Sequence, residues 1–493
     1  MPKLLRALLL SLILLVAGAS LCRAQDPAPK VAKPGKRYIR SITIKINDIF
    51  EDFSSTPYKV ANHLKYKTHE SIIRNELLFK EGDRFDPYLL KQFERNLRLQ
   101  RYLREIRVVP TFDGDAVDVM VSARDSWTLI PFLSYSSGTG QRNRGVGLTD
   151  SNLFGGATRL DWRYIEQASR TSYGLAVSDP QAFGTLHNMV LGVAERSDGT
   201  VYQGLYGLPF RSLEQRDAWQ IDGGKQDTIG RLWYAGTETY IFRQHLDDLT
   251  ALYPFAGKGA KPAAEDDPYT GIYKGQTILS QRYSVGFGYD NASFYQATEQ
   301  DYKDLDLDPS TVSNNPADLP FNRRFNGPLF QYQTIQPKYI TMNYIDRFDR
   351  PEDYNLGDES LVLMQVAPAS LGSLYNAVLG TANRSKGWKT SGRSFLRGEV
   401  GASTRVQKDK VENTLLRGEA KFYSVIGDLF MGERFLGRHT FASQFYVDYG
   451  SDLDRDRQLL LGADTGLRGY EINTFSGDRK STRLNSSHTD IFR

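Results

Sequence analysis

The chain has 493 residues, 12% of them aromatic, with 62 Lys and Arg against 58 Asp and Glu and a single cysteine; its mean hydropathy is only -0.46. Near-neutral charge gives no electrostatic reason to expect nucleic acid as a partner. One cysteine excludes a disulfide framework.

Chain order begins with an export signal. Lys3 and Arg6 precede an apolar run from Leu8 to Val16, broken only by Ser11, and a small-residue region ends in Cys22-Arg23-Ala24. This is the layout of a cleaved secretory signal over residues 1–24. The run is too short for a bilayer-crossing helix, which needs ~20 apolar residues, and no later stretch is long enough either. Cys22 would be the acylated residue of a lipoprotein, but Leu21 stands where that signal peptidase prefers a small side chain. Cleavage after Ala24 removes Lys3, Arg6 and Arg23, leaving 59 basic residues against 58 acidic ones. Residues 25–36 hold three prolines without hydrophobic periodicity and read as an extended linker.

A compact module is expected over residues 37–125. Ile42, Ile44 and Ile46 alternate with Thr43 and Lys45 as in a strand. Thr68 is placed to cap a helix whose Ile72, Ile73, Leu77 and Leu78 share one face and which should stop near Gly82. A second helix is capped by Asp86 with Pro87 in its first turn. Its apolar stripe is Leu89, Leu90, Phe93 and Leu97, and Lys91 falls on the wet face. Ile106 and Val108 open a strand, Asp113-Gly114-Asp115 turns, and Val117, Val119 and Val121 run back. The order β-α-α-β-β over about 90 residues is enough for a small core.

Residues 126–480 carry short alternating runs instead. Leu160, Trp162 and Tyr164 alternate with Asp161 and Arg163, and Tyr283, Val285, Phe287 and Tyr289 with Ser284, Gly286 and Gly288. Leu416, Gly418, Ala420 and Phe422 face away from Arg417, Glu419 and Lys421, and Phe441, Ser443, Phe445, Val447 and Tyr449 from Gln444, Tyr446 and Asp448. A secreted sandwich or propeller would show the same alternation. Behind an export signal, this length of aromatic and Gly-rich strands favours a β-barrel with a wet lumen and an outside in lipid. Two hydrophilic inserts, Gly257 to Gly271 and Gln296 to Pro328, read as extracellular loops.

Three motifs follow in order. Residues Arg74 to Asp86, RNELLFKEGDRFD, with FERNLRLQRYLREIRVVP after them, resemble a POTRA domain. Gly145 to Leu160 is similar to the opening hairpin of BamA/TamA-type barrels, with Asp150, Asn152, Leu153, Phe154 and Gly155 matching a D-x-N-L-F-G run. Gly466-Leu467-Arg468-Gly469-Tyr470 matches the family's R-G-Y/F loop, with Phe475 and Gly477 trailing it. Taken singly, each could be an ordinary turn. Together the chain resembles the BamA/TamA-type outer-membrane assembly and translocation superfamily, the bacterial surface antigen family, from Lys36 to Lys480.

The resemblance implies a mainly β fold: a transmembrane antiparallel β-barrel over 126–480 behind one small α+β POTRA domain in the periplasm of a bacterium. It further implies that the R-G-Y/F loop folds into the barrel, where Arg468 meets inner-wall acids and acts as a conformational latch. A barrel of this family has about four more strands after that loop, whereas 23 residues follow Tyr470 here. Residues 481–493, STRLNSSHTDIFR, show neither alternation nor turn chemistry and read as a non-native tail on a C-terminally truncated frame. The barrel would then be incomplete as written and expose a hydrogen-bonding edge in lipid.

Other chemistry finds no support. Asp304, Asp306 and Asp308 begin like a calcium loop, but Pro309 takes the turn position and Asn315 that of the bidentate glutamate. Gly138-x-Gly140 precedes no strand-helix unit, the six histidines lack metal-ligand spacing, and no serine sits in a nucleophile elbow. The expected function is therefore non-enzymatic and cofactor-free: assisting insertion or translocation of other proteins at the outer membrane. The expected partners are outer-membrane lipid, extended or unfolded clients and periplasmic accessory proteins, not nucleic acid. The alternative is a passive porin-like or surface-displayed barrel.

Overall fold

A computed structural model describes residues 37–49, 66–138, 141–167, 170–258, 279–347, 350–462, 470, 473–477 and 481–486. The proposed signal and linker, and the loop residues Gly466, Arg468 and Gly469, lie outside them.

The N-terminal module runs β1 (Tyr38–Asn47), α1 (Glu70–Asn75), α2 (Pro87–Leu99), β2 (Leu103–Asp113) and β3 (Ala116–Asp125). Its sheet has the order β1-β3-β2, with β1 parallel and β2 antiparallel to β3. Asp86 caps α2 through Tyr88 N–H at 2.9 Å, and Gly114 turns the β2–β3 hairpin at φ +59°. Ile39, Ile73, Leu90, Phe93, Leu97, Val117 and Val121 fill one core, each such burial being worth about 1.5–3 kcal/mol.

Three local expectations fail here. Thr68 does not cap α1: the N-cap position is His69, without a side-chain cap, because the Thr68 hydroxyl is bonded to Asp125. The helix ends at Asn75, so Leu77 and Leu78 reach the core from outside it. In α2 the polar face is not wet, since Gln92, Glu94 and Arg95 are buried and Lys91 is half-buried.

The rest of the chain forms one large antiparallel sheet. Its N-terminal half is β4 (Leu129–Gly138), β5 (Gln141–Leu153), β6 (Thr158–Gln167), β7 (Arg170–Asp179), β8 (Asn188–Arg196), β9 (Gly199–Leu208), β10 (Trp219–Tyr234) and β11 (Thr237–Lys258). After β12 (Ser280–Gln296), helix α3 (Glu299–Asp304) and β13 (Arg323–Ile335), a separate hairpin of β14 (Tyr339–Asn343) and β15 (Pro351–Asn355) interrupts the ladder. The wall resumes with β16 (Glu359–Ala367), β17 (Ala377–Ser391), β18 (Ser394–Gln407), β19 (Lys410–Met431) and β20 (Arg434–Ser451). A small pair, β21 (Leu459–Leu461) and β22 (Phe475–Gly477), precedes β23 (Ser481–Ser486). Neighbours pair in chain order from β4 to β20, and β23 adds to β20. The expectation that residues 481 onward hold no strand is thus corrected for 481–486. Among the described residues β4 and β23 are the unpaired ends of this order.

Alternation along the strands separates two faces. Leu133, Trp162, Leu191, Phe287, Val400, Leu416 and Phe445 are exposed on the outer one. The inner one carries ion pairs such as Arg417–Asp448 at 2.7 Å and Lys421–Glu419 at 3.0 Å. Among the described residues no helix is long and apolar enough to cross a membrane.

The expected loops need two corrections. Residues 259–278 of the insert after β11 lie outside the described residues, but the strand ends they join are at the module side of the wall, because Ala256 N–H bonds Arg216 C=O at 2.8 Å in the β9–β10 turn, which itself touches the module. The insert after β12 is folded, with α3 closed by a capping box between Thr298 and Asp301, and β13 starts at Arg323 rather than after Pro328. Asp304 ends α3, and Asp308 accepts the Ser310 N–H at 2.8 Å.

Candidate functional site

The D-x-N-L-F-G run spans the end of β5 and the turn into β6, the first turn of the wall on the module side. Asp150 accepts the Asn152 N–H at 3.0 Å, which starts the turn. Phe154, Gly155 and Ala157 then take positive φ of 53°, 75° and 61°. Gly155 is required twice: its φ suits glycine, and a Cβ there would sit 2.2 Å from the Lys67 carbonyl oxygen. That close approach lets His69 N–H bond the Gly155 carbonyl at 3.0 Å.

Asn152 is the polar centre of this contact and is 2% exposed. Its Nδ2 donates to Thr68 Oγ1 at 2.8 Å, and its Oδ1 accepts the Ala157 N–H at 2.8 Å. The Thr68 hydroxyl donates to Asp125 Oδ1 at 2.5 Å, and the Thr68 N–H to Asp125 Oδ2 at 3.2 Å. Ala157 enters the module's own core, and Phe154 packs edge-on to Tyr66 at 5.2 Å. Leu153 is half-buried.

Two more turns dock beside it. From the β7–β8 turn, Gln181 accepts from Asn75 Nδ2 at 3.1 Å and donates to Ile72 C=O at 2.8 Å and Glu76 Oε1 at 2.9 Å. The Ile72 carbonyl is free to accept because α1 is short. From the β9–β10 turn, Arg211 meets Glu76 Oε2 at 2.6 Å as a charge contact rather than an aligned hydrogen bond. Its backbone carbonyl accepts from Asn96 Nδ2 of α2 at 2.7 Å, and its Nη2 donates to the carbonyls of Pro180 and Leu186 at 3.0 Å each. Burial pushes the neighbouring Glu214 carboxyl above the usual glutamate range.

At the opposite end, the segment after β20 crosses the mouth of the wall. Arg405 of β18 grips Asp454 at 2.9 and 2.7 Å, and Arg323 of β13 grips Asp456 at 2.7 and 2.8 Å. Gln458 then exchanges two bonds with the Trp233 backbone of β10 at 2.8 and 3.0 Å. Tyr470 packs edge-on to Phe475 of β22 at 5.2 Å. The expected role of Arg468 falls outside the described residues.

The sequence marks Asp150 to Gly155 but casts Thr68 as a helix cap, and carries no sign of Asp125, Glu76, Gln181 and Arg211, which complete the junction with it. No family model and no curated protein matches the sequence. Among solved structures, BamA from Haemophilus ducreyi lacking POTRA domains 1-3 is 11% identical at a TM-score of 0.32, over 84% of this chain and 71% of that one. CdiB from Acinetobacter baumannii is 10% identical at 0.36, over 84% and 69%. CdiB from Escherichia coli is 9% identical at 0.41, over 85% and 66%. Likeness at this level says nothing about activity.

Proposed function

We propose that the chain is a bacterial outer-membrane β-barrel whose POTRA-like module, residues 37–125, stands in the periplasm and assists insertion or translocation of other proteins. The observation that carries this reading is a module docked by buried polar contacts beneath a wall whose outer face is apolar and exposed. A water-soluble sheet would cover so broad an apolar face, whereas lipid covers it in a membrane. The wall's strands pair with one another, as backbone in hydrocarbon must.

In the module, β2 pairs only with β3 among the described residues, so its other edge is available to an extended client segment. Backbone hydrogen bonds would hold such a segment without regard to its sequence. The turn from Asp150 to Gly155 serves as the mount that fixes the module to the wall. Neither nucleotide nor metal is required in this scheme.

The competing reading is a passive porin-like or surface-displayed barrel. Depleting the protein from cells and quantifying the outer-membrane proteome separates the two. Loss of a defined subset of outer-membrane or surface proteins is expected. Unchanged protein levels with altered small-solute uptake would establish the passive reading instead.

A further inference from the structure

The β14–β15 hairpin lies where a simple meander would have a short turn. Between β13 and β16 the chain leaves the wall, forms its own two-stranded sheet and returns. One side of this hairpin packs on the inner face of β17 to β20 at their module ends. Leu356 sits on Gly387 of β17, where a Cβ would come within 2.9 Å of the Leu356 Cα, and Gly387 N–H bonds the Leu356 carbonyl at 3.2 Å. The Tyr354 ring packs at a tilt 4.8 Å from that of Phe395 of β18, which is fully buried, and 6.3 Å from that of Tyr423 of β19. On β20, Thr440 donates to the Tyr344 carbonyl and the Arg438 guanidinium covers the Tyr344 ring at 4.3 Å.

The other side is held by the module. Arg98 of α2 forms a two-pronged pair with Asp353 at 2.7 and 3.1 Å, with side chains 13% and 6% exposed. Arg95 covers the Tyr339 ring at 4.4 Å. Arg350 donates to the carbonyls of Gln100 and Leu103, just past the end of α2, at 3.0 and 3.2 Å. One small element therefore touches four consecutive wall strands from inside and the module helix from below.

From this we infer that the hairpin is a latch: it closes the module end of the lumen and ties the position of α2 to the inner wall of β17 to β20. A buried charge pair is well suited to such a role, because it specifies one docked position and loses its balance when either partner moves away. Displacing the module breaks the Arg98–Asp353 pair and the Arg350 bonds to Gln100 and Leu103, so the hairpin loses its module-side support, swings off the inner wall and opens the lumen. The inference rests on the barrel reading above, and it argues against a permanently open pore.

The test uses the full chain with Cys22→Ser and Ser403→Cys, which places one thiol on the inner face of β18 above the hairpin. The protein is incorporated into phosphatidylcholine–phosphatidylglycerol vesicles with the module outside, and a membrane-impermeant maleimide is added. Labelling should be slow in this parent. It should accelerate about tenfold or more when Asp353→Ala releases the module side, and again when Gly387→Leu displaces Leu356 from the wall side. Arg98→Ala should match Asp353→Ala. Rates within about twofold of the parent in both the Asp353 and Gly387 variants, with each still showing barrel-type mobility before heating, would overturn the latch. Failure of the parent itself to enter vesicles would instead sink the membrane reading.

Discussion

Replacing Asn152 tests the docking of module on wall at its most buried polar contact. Asn152→Ala removes the donor to Thr68 and the acceptor of the Ala157 N–H. Losing one neutral hydrogen bond costs about 1 kcal/mol, and stranding a buried N–H adds about 1–3 kcal/mol, so the junction should weaken by about 2–4 kcal/mol. Hydrogen exchange at the amides of His69 and Ala157 reads the loss directly, since the first bonds the Gly155 carbonyl across the junction and the second bonds Asn152 itself. Their exchange should quicken roughly 30- to 700-fold while strand amides in β17 and β18 stay protected. The direction of the Thr68 hydroxyl allows a sharper contrast. It has given its one proton to Asp125, so only a donor can meet it from the other side. Asn152→Asp keeps the acceptor for Ala157 but sets a second negative charge against those lone pairs, and should open the junction at least as far as Asn152→Ala. Exchange within about threefold of wild type in both variants would show that Asn152 does not hold the junction.

Gly155→Ala should cost at least about 1–2 kcal/mol from its backbone conformation alone, and the clash with the Lys67 carbonyl should break the bond to His69; thermal unfolding of the module in detergent measures both together. Arg211→Ala leaves Glu76 buried without its cation and should destabilise docking by about 3–5 kcal/mol, whereas Arg211→Ala with Glu76→Gln should recover part of that loss in a double-mutant cycle. Glu214 supplies the pH dependence. Its folded pKa is raised, so the folded state holds the proton more tightly, and stability present below the unfolded glutamate pKa of about 4.3 is lost as pH rises through the raised value. Glu214→Gln should therefore melt higher than wild type at pH 7 and indistinguishably from it at pH 4.

Legibility in the sequence followed the range of the interactions. The α2 cap at Asp86, the Gly114 turn and the two-residue alternation of the wall depend on neighbours along the chain, and all could be read there. The D-x-N-L-F-G turn was visible as a motif because its Asp150–Asn152 bond and positive φ angles are local. Thr68 shows where local reading stops. Its pattern resembles a helix cap, but partners 57 and 84 residues away claim its hydroxyl, and no local signal marks them. The buried polar face of α2 misleads for the same reason: Gln92, Glu94 and Arg95 look solvent-facing until the wall's turns and hairpin cover them. The β14–β15 latch gave no periodic signal strong enough to separate it from the wall strands, since each of its strands is only five residues long.

An assembly role requires that the chain accelerate membrane insertion of another protein. Vesicles carrying the full chain would be mixed with a urea-unfolded small outer-membrane barrel, and its folding followed by electrophoretic mobility without heating. Client folding should be faster than in empty vesicles, with the gain reduced by Asn152→Ala. Equal rates with and without correctly inserted protein would contradict an assembly role.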